Sequence, residues 1–156
     1  MRPKVAAVVA LVLVALLAGC ASLLPDTFTR EVPQKLSDAD IGVVGVDAST
    51  SWEGFSKVIT VRVQFGPDTI TDEQFRGTLV AVSEGLGVNA GAKLMLSFRG
   101  QEFEPAEGVV EATQTLNREL GLSGGEALDG SLSLLLFSSG KDLQALVTEM
   151  QNAGLL

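Results

Sequence analysis

The chain contains no histidine and no tyrosine, and it has one cysteine in 156 residues. Without histidine it lacks the side chain that titrates near neutral pH and the commonest metal ligand. Ser-His-Asp and Cys-His nucleophile systems are therefore excluded. A single cysteine rules out an internal disulfide and any site built from several thiolates. Positive charge is also scarce, with 11 Lys and Arg against 19 Asp and Glu. That balance argues against nucleic acid, whose binding depends on basic side chains neutralising phosphates. It argues equally against a domain lying flat on anionic lipid headgroups.

What is present begins with a leader. Arg2 and Lys4 precede Val5 to Leu16, an unbroken run of Val, Ala and Leu, and Ala18 and Gly19 are small. This is the layout of a secretory signal, and the run is shorter than the roughly 20 apolar residues of a membrane span. A retained transmembrane helix and a plain secretory signal are the alternatives. The four residues Leu17-Ala18-Gly19-Cys20 resemble the lipobox of bacterial lipoproteins. The resemblance implies cleavage before Cys20, diacylglyceryl attachment to its sulfur, and a palmitate-bearing chain anchored on the extracytoplasmic side of the cell membrane. An outer membrane is the alternative destination in a two-membraned host. Loss of residues 1–19 would leave nine basic and nineteen acidic residues, a net charge of −10.

Residues 20–37 contain Pro25 and Pro33 without clear periodicity and read as a lipidated N-terminus and tether, with Phe28 docking on the domain. On such a tether the acidic domain is expected to stand off the membrane. Residues 38–156 read as one domain, long enough to bury a core without staples. Ile41 to Asp47 is an irregular first strand, and Asp47 to Phe55 a connecting loop. Lys57 to Phe65 alternates cleanly, with Ile59, Val61, Val63 and Phe65 on one face. A helix follows, opened by a Thr71–Gln74 capping box and an Ile70–Phe75 staple. Its stripe is Phe75, Leu79, Val82 and Leu86, and Gly87 ends it.

Ala92 to Arg99 is the next strand, and Gln101 to Glu104 returns as a short partner. A helix after Pro105 presents Val109, Thr113, Leu116 and Leu120 and stops at Gly121. Ser131 to Phe137 is a strand with Leu132, Leu134 and Leu136 inward. A last helix, capped by Ser139, presents Leu143, Leu146, Val147 and Met150. The expected fold is an α+β two-layer sandwich, its antiparallel or mixed sheet covered on one face by amphipathic helices. If the Gln101 strand forms, the order β-α-β-β-α-β matches a ferredoxin-like fold with an extra N-terminal strand and C-terminal helix.

The candidate chemistry is sparse. Glu102, Glu104, Glu107 and Glu111 are the densest carboxylates, and a carboxylate pair can hydrolyse glycosides without histidine. Their ordinary reading is a solvated face near a helix start. Asp38-Ala39-Asp40 opens like a calcium loop, but Gly42 stands where a third ligand belongs. No metal site and no cofactor are expected. Two binding candidates remain. Trp52 with Phe55 would anchor a partner if exposed, or lid the core if not. Arg62 and Arg99 on the outer sheet face, beside Met95, Leu135 and Phe137, would receive an anionic group, or else pair across strands with a nearby Glu or Asp, with Leu135 and Phe137 buried under the last helix or the tether. The expected function is a non-catalytic, lipid-anchored envelope protein that presents its acidic domain to a protein or envelope partner. A carrier of a lipid or anionic solute is the alternative, and a carboxylate enzyme a more distant one.

Overall fold

The computed structural model describes residues 26–124 and 127–156. Cys20 and the leader lie outside the described residues. The order is α1 (Phe28–Asp38), β1 (Val43–Glu53), β2 (Ser56–Phe65), α2 (Asp72–Gly85), β3 (Lys93–Arg99), α3 (Val109–Leu120), β4 (Leu134–Phe137) and α4 (Gly140–Asn152). The sheet runs β1-β2-β3-β4. β1 and β2 form an antiparallel hairpin, β2 and β3 are parallel across the α2 crossover, and β4 returns antiparallel to β3. The molecule is thus an α+β two-layer sandwich with a mixed sheet.

One sheet face carries the core. Ile59, Val61, Val63, Phe65, Leu94, Leu96, Phe98, Leu135 and Phe137 are buried there beneath the helices. α1 contributes Phe28, Val32 and Leu36, and α2 contributes Phe75, Leu79 and Val82. Phe75 stacks on Phe98 with ring centroids 5.3 Å apart. α4 adds Leu143, Leu146, Val147 and Met150. The α2 start is capped as expected: Gln74 N–H donates to Thr71 Oγ1 at 3.2 Å, and Thr71 N–H donates to Gln74 Oε1 at 3.0 Å. Ser139 N–H donates to Asp142 Oδ2 at 2.8 Å at the start of α4.

Four expectations need correction. The stretch read as a tether is largely helix α1, whose Phe28, Val32 and Leu36 repeat every fourth residue along its buried side. Pro33 lies inside that helix and removes one backbone donor without ending it. The supposed loop after Asp47 continues β1 to Glu53, and only Gly54-Phe55 turn the hairpin. Gly54 takes φ +63°, as the first position of a two-residue turn demands.

Gln101 to Glu104 does not form a strand. Glu102 and Phe103 both adopt positive φ, so the chain turns tightly and only Pro105 bridges back to Arg99. The ferredoxin-like order is therefore not realised. Finally, Leu132 and Ser133 also take positive φ, which breaks the extended run before β4. The parity of that strand is reset, so Leu135 and Phe137 face the core while Leu136 is exposed.

Candidate functional site

The register places Asp47, Ser49 and Ser51 of β1, Thr60, Arg62 and Gln64 of β2, and Met95, Ser97 and Arg99 of β3 on the face opposite the core. Leu134 and Leu136 of β4 complete it. Leu135 and Phe137, expected beside the arginines, are absent from this face because of the parity reset. Arg62 and Arg99 do come together. They line a depression of about 470 Å³ with Gly45, Asp47, Gln64 and Phe103. The β-bulge at Val43/Gly45 brings the small Gly45 against Gln64, leaving room at the depression's edge.

Arg62 Nη1 already donates to Asp47 Oδ2 at 2.5 Å, and Arg99 Nη1 donates to the Phe103 carbonyl at 3.4 Å. An arriving carboxylate or phosphate would compete with Asp47 for Arg62. Ser97 lies opposite Arg62 in register, is buried, and has no partner for its Oγ among the described residues. Asp47 was missed in the sequence because strand pairing brings it to Arg62, and Phe103 because the positive-φ turn after β3 folds it back to Arg99; Gln64, two residues from Arg62, shares its strand face.

Phe55 lies in the hairpin turn and Trp52 near the end of β1, and both are exposed, Phe55 completely and Trp52 by 66%. Trp52 does not lid the core. Its register partner is Lys57. Lys57 Nζ donates to Asp26 Oδ1 and, at 2.8 Å, to Asn89 Oδ1, and it lies 5.6 Å from the centroid of the Phe28 ring. The Lys57 hydrogen bond holds the Asp26 carboxyl below its ordinary pKa of 3.8, assisted by Thr50 Oγ1, which donates to Asp26 Oδ2 at 3.0 Å. Phe55 shares a cavity of about 610 Å³ with Val88, Lys93 and Ser138.

Two larger grooves open elsewhere. One, about 730 Å³, runs between α1, α2 and the C-terminus past Ile41, Val80 and Leu155, with Lys35 and Arg76 along it. Both cations are engaged: Lys35 Nζ donates to Glu84 at 2.8 Å, and Arg76 to Glu119 and the Leu155 carbonyl. The hydrogen bond to Glu84 raises the Lys35 pKa above its ordinary 10.5. The other groove, about 880 Å³, follows the β4 edge past exposed Leu132 and Leu136.

Among the described residues, no group of three or more acidic or cysteine side chains converges as a metal site. Glu102 sits in the tight turn, and Glu107 accepts from Thr69 Oγ1 at 3.2 Å. Two short serine patterns also take on structural meaning. Gly121-Leu122-Ser123-Gly124-Gly125 matches G-x-S-x-G in sequence, yet Gly121 to Gly124 follow the end of α3, whereas a nucleophile elbow joins a strand to a helix. Ser138-Ser139-Gly140-Lys141 matches S-x-x-K at the start of α4, but Ser138 and Lys141 are both exposed and no hydrogen bond links them. Among the described residues no helix is long and apolar enough to cross a membrane. No family model, no curated protein and no solved structure matches this chain.

Proposed function

We propose that this chain is a non-catalytic lipoprotein of the cell envelope, anchored through lipid on Cys20, whose acidic domain engages a protein or envelope partner. The observation that carries the reading is Leu17-Ala18-Gly19-Cys20 directly behind the apolar run Val5 to Leu16. The only thiol becomes an attachment point, and a chain without histidine keeps few routes to catalysis at neutral pH. The uncovered sheet face supports the partner half of the reading. It offers two arginines in a depression bordered by exposed Phe103, with exposed Leu136 elsewhere on the same face, and polar and apolar groups of this kind anchor interfaces.

The test has two parts. Labelled palmitate should enter the wild-type chain and not Cys20→Ser, which should leave the membrane fraction or accumulate unprocessed. Equal labelling of both would sink the anchor. Crosslinking in intact cells followed by pull-down should then give a discrete adduct of wild type that Arg62→Glu/Arg99→Glu loses. A carrier role is the second reading, favoured by the groove lined with Ile41, Val80 and Leu155. A small molecule copurifying in stoichiometric amount, with no crosslinked partner, would favour it instead.

A further inference from the structure

Trp52, Phe55 and Val88 stand out at one end of the sheet. All three are large, apolar and mostly exposed, and Phe55 and Val88 border the same cavity. That end is also where the described chain begins. Asp26 is bonded to Lys57 and Thr50, both in the stem of the same hairpin, and α1 runs away from this point. Cys20 is six residues upstream, and six residues reach at most about 20–22 Å even when fully extended. A lipid on Cys20 would hold this end within that distance of the bilayer.

Charge is distributed to suit the same orientation. At the hairpin end Lys57 pairs with Asp26, and Lys93 with Glu53 at 3.0 Å, so the local balance is close to neutral. The acidic surplus gathers at the opposite end. Asp38 and Asp40 precede β1, Asp72 and Glu73 follow β2, and Glu102, Glu104 and Glu107 follow β3. The overall negative charge therefore repels anionic headgroups mainly from the far pole, and the repulsion fades within a Debye length.

We propose that the hairpin end, with Trp52, Phe55 and Val88, rests in the headgroup region of the bilayer and orients the domain. This rests on the reading of Cys20 as the lipid anchor. Indole and phenyl rings favour the boundary between headgroups and acyl chains, because an apolar body there meets a polar rim. Three side chains alone would bind a bilayer weakly. The anchor keeps them at high effective concentration beside it, so a weak preference suffices to fix orientation. The domain then lies end-on at the membrane, with the acidic pole turned away from it and the Arg62–Arg99 face open to solvent at the side.

Trp52 is the only tryptophan, so intrinsic fluorescence reports this end alone. The full chain, purified from membranes with its lipid state fixed by mass, is reconstituted into phosphatidylethanolamine–phosphatidylglycerol vesicles. Brominated acyl chains should quench Trp52, its emission should shift to the blue relative to detergent-free Cys20→Ser in buffer, and iodide quenching should fall. The double variant Phe55→Ser/Val88→Ser replaces only exposed side chains and should lose most of the bromolipid quenching while still floating with vesicles. A lipidated chain that floats but shows no bromolipid quenching overturns this proposal and leaves the anchor standing. Protection from iodide without bromolipid quenching also overturns it, since Trp52 would then be covered by another copy of the chain. A chain carrying no lipid that fails to float overturns the anchor and this proposal together.

Discussion

Ser97 is buried on the outer face, and its Oγ has no hydrogen-bond partner among the described residues, so its hydroxyl is desolvated without return. Ser97→Ala removes that group and leaves a side chain of similar size. The variant should be more stable by about 1 kcal/mol, read as a higher urea midpoint at unchanged slope. A loss of stability would mean that the hydroxyl is bonded after all.

The Asp26–Lys57 pair works in the opposite sense. The Asp26 pKa is lowered in the folded chain, so its contribution is fully present above 3.8 and fades as pH falls through the lower folded value. Its side chains are 37% and 23% exposed, so water screens the pair, and Asp26→Asn should cost under about 1 kcal/mol at neutral pH. The difference between Asp26→Asn and wild type should shrink as unfolding is repeated well below pH 3.8. A gap that stays constant there would refute the pairing.

Among elements, α2 shows how directly local signals can act. Its capping box, its apolar stripe and its glycine stop were all legible because each depends on residues within one or two turns. Packing against another element is different. A Cβ on Gly85 would lie 2.7 Å from the Val32 Cα, so α1 sits on α2 at a glycine that the sequence marks only as a weak helix former. Gly85→Ala ought to raise helix propensity, yet it should destabilise by about 1–3 kcal/mol because the contacted atoms are backbone. Thermal unfolding decides between these signs.

The same division explains the misread segments. In α1 the Phe28–Val32–Leu36 spacing carried the helix, but two prolines in the region looked like tether punctuation. In β4 four apolar residues in a row, Leu134 to Phe137, offer no alternation from which to read a face. The positive φ at Leu132 and Ser133 decides it. Leu135→Ala should therefore cost about 2–5 kcal/mol, while Leu136→Ala, 60% exposed, should stay within about 0.5 kcal/mol. Equal costs would restore the opposite parity.

For the whole molecule, composition made the acidic excess plain, but only the topology shows that the excess is polarised. The hairpin, the start of α1 and the start of α4 lie at one end, since Gly140 N–H donates to the Ala92 carbonyl just ahead of β3. The outer face lies along the sheet between the two ends, with Arg99 at the far end of β3. A partner approaching from solvent thus meets two arginines amid surrounding carboxylates, an arrangement that selects for an anionic group small enough to enter the depression. Charge reversal at both positions isolates that idea from folding. Arg62 pairs with Asp47 at an exposed site worth at most about 1 kcal/mol, and Arg99 makes one long bond to a carbonyl. Arg62→Glu/Arg99→Glu should keep palmitate incorporation and unfold within about 1–2 kcal/mol of wild type, while partner capture in cells is lost. Capture that persists at full yield would move the contact to another surface, with the β4 edge and its exposed Leu132 and Leu136 the next to substitute.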